Sequence, residues 1–480
     1  MDTDVADLTA TEMAAMFRHR LLSPVEAARA ALDRIRRYNP AVNAFCLVDE
    51  ATTLEAARAA EERHLRGRSL GELDGVPVAI KDVFLTREWP TLKGSRTITP
   101  DQPWRVDAPA VAALRRHGAV PVGKTTTPEF GWKGVTDNPV DGITRNPWDI
   151  SRTAGGSSGG SAAAIPLGMG ALALGTDAGG SIRIPSGFSG LFGHKPTHGR
   201  VPMWPGSPFG VLAHPGPMTK TVEDAALLMN VLTEPDIRDP SLPPDRTDYV
   251  RALGGHIAGL RIAFSADFGF VKVDPEIAAA VAEAARVFES LGAAVDSVDP
   301  GFPNPEEAFE RLFFGGAANA LRAIDVDQRR LMDPGLVESA EDAAEMPLLD
   351  YLAAQNIRKE LLEQMSRFHD RFDLLLTPTL PIAAFEAGLE VPPGWPKRRW
   401  PSWTPFTFPF NMTGQPASSV PCGFTSEGLP IGLQLVGARH HDALVLRAAH
   451  AFEQARPIRR RPPMLDTPGT DDDDRETIYA

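Results

Sequence analysis

The sequence predicts an α/β fold. Short apolar runs such as VPVAI (76–80), AVPVG (119–123), LRIAFS (260–265) and SSVPCGF (418–424) alternate with helical stretches along all 480 residues. The hydrophobic fraction, 43%, supplies a sizeable core. Between residues 151 and 196, two Gly/Ser clusters enclose AAAIPLGMGALALG (162–175), an apolar segment that belongs in the interior.

Residues 8–38 read as two short helices. The second opens on the capping box Ser23-Pro24-Val25-Glu26, with proline at its first position. NAFCLV (43–48) is a candidate strand, and the helix from Glu50 ends at Gly67. VPVAI reads as a buried strand ending at Lys81-Asp82. A helix starts at Asp107-Ala108-Pro109 and stops at Gly118, and AVPVG follows as a strand. The Pro- and Gly-rich run 201–217 reads as a surface loop able to cover a site. A helix opens at Thr221. Then come strand 260–265, helix 275–291, strand 293–298, helices near 304–324 and 338–370, and strand DLLLTPTLP (373–381). A Trp/Pro/Phe-rich connection covers 391–410. SSVPCGF and GLPIGLQLVG (428–437) form a hairpin, and Asp442 caps a last helix. Residues 466–480, with Asp471 to Asp474, read as a disordered acidic tail after a domain spanning 1–465.

The net charge of −13 argues against a nucleic-acid partner. Two cysteines, Cys46 and Cys422, give no disulfide framework and suit a reducing cytoplasm. The acidic start has no signal-peptide pattern. The apolar run 162–175 is too short and too rich in Gly and Pro to span a membrane.

Two short patterns mislead. Gly118 to Thr125 fits G-x-x-x-x-G-K-T, but a helix precedes it and its middle, AVPV, is the strand itself, so the phosphate-binding context is missing. Gly155-Gly156-Ser157-Ser158-Gly159 fits G-x-S-x-G, but the polar RNPWDISRTA before it is no strand. Ser181 is a better nucleophile candidate. It ends Thr176-Asp177-Ala178-Gly179-Gly180, whose successive N–H groups can form a nest for an oxyanion. A turn or N-cap serine is the competing reading. Lys81, at the end of a buried strand, is either a desolvated base or a solvated lysine paired to Asp82.

Taken together, the two clusters resemble the amidase signature. The resemblance extends to GVPVAIKD, VGKTTTPEFGW, GHKPTHGRVP, PFNMTGQPASSVPCGF and GLPIGLQLVG, and covers about residues 8–465. It implies a single α/β/α domain around a large mixed sheet. It also implies hydrolysis of an amide C–N bond by a Ser–cis-Ser–Lys triad. By motif position Ser181 is the nucleophile, Ser157 the relay in a cis peptide, and Lys81 the base. The N–H groups of Ala178, Gly179, Gly180 and Ser181 hold the oxyanion. Ser158, Thr176, Asp177 and Arg183 support the turn. No metal or cofactor is implied. The substrate is a small amide, and the assembly a monomer or homodimer. Candidate pocket residues are Phe130, Gly131, Trp132, Trp204 and Phe209, with Met203 and His214 in the same loop as Trp204 and further aromatics in 391–410 (Trp395, Trp400, Trp403, Phe406, Phe408). So much aromatic surface favours hydrophobic or aryl amides, and aryl carbamates (urethanes), over free glutamine. The alternatives are a glutamine-hydrolysing A subunit of a tRNA-dependent amidotransferase, or a non-enzymatic scaffold relative.

Overall fold

The computed structural model describes residues 4–239, 241 and 246–466. The expected acidic tail lies outside the described residues, apart from Asp466. The strands are β1 (Phe45–Leu47), β2 (Pro77–Lys81), β3 (Val120–Thr125), β4 (Asp137–Asn138), β5 (Gly142–Ile143), β6 (Leu172–Asp177), β7 (Phe192–Lys195), β8 (His214–Thr219), β9 (Arg261–Phe264), β10 (Ala294–Ser297), β11 (Leu374–Pro378), β12 (Ala417–Phe424) and β13 (Pro430–Gly437). Eleven of them form one sheet in the order β1-β3-β2-β6-β8-β7-β12-β13-β11-β9-β10, and β4 pairs with β5 separately. The sheet is mixed: β3, β2 and β6 run parallel, as do β11, β9 and β10, while the strands between them pair antiparallel.

Alternation along the strands builds three layers, because successive side chains leave opposite faces. Val78, Ile80, Leu172, Leu174, Leu374 and Leu376 join a core with helices 10–18, 109–116, 222–232, 275–290 and 442–455. Ala79, Ala173, Ala263 and Leu375 face the other way. There the helices 24–42, 159–164 and 183–189 and the aromatic-rich region 306–412 cover the sheet. The single α/β fold with a large mixed sheet therefore stands as expected. Among the described residues no helix is long and apolar enough to cross a membrane.

Several elements differ from the sequence reading. The helix from Pro24 continues through Pro40 to Val42. The helix expected over 338–370 is two, Pro334–Ala344 and Leu348–His369, because Pro347 disfavours helix at the residue before it. The apolar segment 162–175 divides between a short helix and β6. The run 201–217 is not all loop: His214–Thr219 is a fully buried strand beside β6. Pro215 and Pro217 hide it, since proline is rare in central strands. Here β7 pairs only with its last two residues, so the proline-containing part is held on the β6 side alone. Asp442 is the first helical residue and not the cap. Its carboxylate instead accepts from the N–H and hydroxyl of Thr197, at 2.7 Å each.

Candidate active site

Period-two alternation decides where Lys81 points. Val78 and Ile80 face one core; Ala79 and Lys81 face the other side, over the two Gly/Ser clusters. Lys81 is fully buried. Its Nζ lies 2.6 Å from Ser157 Oγ, 2.9 Å from Ser158 Oγ and 2.9 Å from Thr176 Oγ1. Burial holds the lysine well below its ordinary pKa, against the opposing pull of the Asp177 charge. Of the two readings of Lys81, the solvated pair with Asp82 does not form. Asp82 pairs with Lys124 at 2.8 Å. Lys124 also donates to Thr91 Oγ1 and the carbonyl of Phe84, so the G-x-x-x-x-G-K-T match holds a structural lysine inside β3.

The glycines of the first cluster allow backbone contact at the strand ends. A Cβ on Gly156 would lie 2.4 Å from the Val135 carbonyl oxygen, and one on Gly160 would lie 2.4 Å from the Ala44 oxygen and the Thr126 nitrogen. The Gly156–Ser157 peptide is cis. Ser158 sits at the start of helix 159–164, but its hydroxyl turns to Lys81 and the Thr176 carbonyl. Its N–H donates to the Ser181 carbonyl at 3.2 Å, which ties the first cluster to the second.

The second cluster turns sharply after β6. Gly180 has φ +131 and packs against Thr407 and Ile184. The Asp177 carboxylate holds the turn. It accepts from the N–H of Gly180 at 2.7 Å, from Ile182 at 3.2 Å, and from the Arg183 guanidinium at 3.0 Å through both Nε and Nη2. Burial opposes its ionisation, but Arg183 and Asn411 outweigh that and keep the carboxyl well below the usual range. This corrects the expected nest. The Gly180 N–H is committed to Asp177, and the N–H groups left without a protein partner among the described residues are those of Ala178, Gly179 and Ser181.

Arg183 is fully buried and uses all five donors: two on Asp177, and one each on the Thr407 carbonyl, Gln434 Oε1 and Asn411 Oδ1. No donor remains for a substrate. Asn411 and Gln434 were not singled out from the sequence, although PFNMTGQP and GLPIGLQLVG carried the signal as motifs.

Ser157, Thr176, Ala178 and Ser181 open into a cavity of about 450 Å³. Phe130, Gly131, Trp204 and Phe209 line it, as expected. So do Val83, Phe84, Lys93 and Asn319, which sequence reasoning missed. Phe84 and Lys93 were findable as the stretch that continues from the Lys81 strand. Trp132 does not line this cavity. It is fully buried, donates Nε1–H to Asp333 at 3.2 Å, and lines an adjoining cavity of about 240 Å³. Trp400, Trp403, Phe406 and Phe408 are also core. Trp400 abuts Gly179 so closely that a Cβ there would lie 2.6 Å from its ring. The aromatic connection thus braces the turn from behind and lines neither cavity.

The amidase family model matches residues 26–446. The chain belongs to the amidase family. It is accordingly an amidohydrolase. An acylamidase of Rhodococcus erythropolis is 38% identical over 460 residues, which cover 94% of this chain and 96% of that one. The A subunit of the glutamyl-tRNA(Gln) amidotransferase of Myxococcus xanthus (strain DK1622) is 39% identical over 493 residues, covering 95% and 99%. Among solved structures, a bacterial aryl acylamidase of the amidase signature family superposes with TM-score 0.89 at 32% identity, covering 95% of this chain and 98% of that one.

Proposed function

We propose that this amidase cleaves hydrophobic or aryl amides through a seryl acyl-enzyme, with Ser181 as nucleophile, Ser157 as relay and Lys81 as base. The observation that carries the reading is the 2.6 Å contact between the buried Lys81 Nζ and Ser157 Oγ. A neutral amine has two N–H donors and one lone pair. Lys81 has three hydroxyl partners, so it can donate to Ser158 and Thr176 and accept from Ser157.

In this mechanism Ser181 Oγ attacks the carbonyl carbon. Its proton moves to Ser157 Oγ as the Ser157 proton moves to Lys81 Nζ. The N–H groups of Ala178, Gly179 and Ser181 receive the oxyanion; each such donor is worth about 2.7–4 kcal/mol. Collapse breaks the C–N bond, and Lys81 returns a proton through Ser157 to the leaving amine. Water then attacks the ester by the same relay and releases the acid. Ser158, Thr176, Asp177 and Arg183 position these groups.

Phe84, Phe130, Trp204 and Phe209 around the cavity favour an apolar or aryl substrate, carbamates included. The likeness to an amidotransferase A subunit supports a second reading, hydrolysis of glutamine within a complex. Rates on an anilide, an aryl carbamate and glutamine separate them: the anilide or carbamate should lead by a wide margin, and a preference for glutamine would reject the aryl reading. A fluorophosphonate should label Ser181 and should not label a Ser181→Ala protein. A Ser181→Ala protein that keeps full activity would overturn the mechanism.

A further inference from the structure

The cavity above the serines is apolar apart from hydroxyls, Asn319 and one charge. Among its described lining residues, Lys93 is the only charged side chain. The carboxylate beside it, Asp82, is already engaged. Asp82 ion-pairs with Lys124 at 2.8 Å, and its Oδ2 takes the backbone N–H of Lys93 at 2.8 Å. Among the described residues the Lys93 ammonium has no hydrogen-bond or ion-pair partner. Burial draws it below its ordinary pKa, and the Asp82 charge pulls it back up.

The backbone makes lysine an unexpected choice here. Lys93 has φ +54, a left-handed conformation that disfavours a side chain by roughly 1–2 kcal/mol. A turn that asks only for this shape is better served by glycine. The turn is also anchored beside the catalytic groups. Phe130 N–H donates to the Lys93 carbonyl at 2.8 Å. The next residue, Gly131, is so near Ser157 that a Cβ on it would lie 3.3 Å from the serine Oγ. A cation held at the wall of an apolar cavity without its own counter-ion is best satisfied by an anion that enters with the ligand.

We propose that Lys93 is a specificity-determining residue that receives a carboxylate carried by the substrate, so that the preferred amides combine an apolar or aryl body with one acidic group. This rests on the amide-hydrolysing reading of the same site. The carboxylate can belong to the acyl half or to the amine half. Two matched pairs distinguish these: the monoanilide of succinate against butyranilide, and 4-acetamidobenzoate against acetanilide.

The wild-type enzyme should prefer the carboxylate member of one pair by roughly tenfold to a hundredfold in kcat/KM, mostly through KM. Lys93→Met should bring that ratio close to one, and Lys93→Arg should keep most of it. Each ratio is internal to one enzyme, so a general loss of activity cancels. Equal handling of both pairs by the wild type, or a preference that survives Lys93→Met, overturns the assignment. If the wild type cleaves none of the four anilides, the aryl-amide reading is what fails. Calorimetric binding of the same pairs to Ser181→Ala protein then decides Lys93: a carboxylate-dependent affinity lost on adding Lys93→Met supports it, and equal affinities overturn it.

Discussion

Beneath Ser181 the Asp177 carboxylate and the Arg183 guanidinium are saturated. Arg183 places five donors on four partners, and the Asp177 carboxylate receives backbone N–H groups, a guanidinium and the Asn411 amide. Above Ser181 the cavity is mostly ring and methyl surface drawn from separate segments, with one lysine that has no partner among the described residues. In the floor Asp177, Arg183, Asn411 and Gln434 hold one another, so removing one strands its neighbours in a low-dielectric site. In the wall, residues that do not touch contribute nearly independent increments. Chemistry on this account belongs to the floor, and selectivity to the wall.

The sharpest way to break the contrast is at the floor. Lys81→Met should lower kcat by roughly 10²- to 10⁴-fold while leaving KM nearly unchanged. Wild-type activity should rise with pH as Lys81 loses its proton, with the acid limb well below the value near 10.4 of a solvated lysine. The stability sign follows from the same shift. The native lysine binds its proton less tightly than the unfolded one, so stability rises with pH between the depressed native value and the unfolded one. Lys81→Met should lose that slope in a denaturant titration run at several pH values. A variant that retains the acid limb would place the base elsewhere.

Asp177→Asn should come next, with a loss of about 3–5 kcal/mol because the buried Arg183 is left without its counter-charge. A shifted urea midpoint reads this directly. The native carboxyl is held low, so its contribution is complete above about pH 4 and declines as pH falls toward the native value. The asparagine variant should lack that acid-side decline. The smallest effect belongs to the wall. Phe209 stacks on Phe313 with centroids 4.0 Å apart. Phe209→Ala should raise KM for an aryl amide roughly threefold to tenfold with kcat little changed. An unchanged KM would place the ring outside the substrate's reach.

The floor was far more legible than the wall. Ser157, Ser158, Thr176, Asp177, Ser181 and Arg183 all lie in one stretch, and the glycines between them report close backbone approach in the sequence itself. Lys81 was legible only through the resemblance, since a buried strand ending on it leaves open both a desolvated base and a solvated lysine paired to Asp82. The wall was legible only in part. Phe130, Trp204 and Phe209 line the cavity, but Trp132 and the aromatics of 400–408 went to the core, since an aromatic residue alone does not say which cavity its ring faces. The strand His214–Thr219 was masked by its prolines.

By itself the sequence determined the family, the α/β alternation and the residues that meet at the serines. The alternation follows from local rules, period two along a buried strand and glycine where two backbones touch; the family and the residues that meet at the serines follow from the resemblance carried by the whole run of motifs. Only the tertiary structure decided that the Gly180 N–H is committed to Asp177, that Arg183 has no donor to spare, and that the Lys93 ammonium has no hydrogen-bond or ion-pair partner among the described residues. Each of these depends on which distant segment packs against the residue, because a charge or a donor is defined by its partners, and those partners come from elsewhere in the chain.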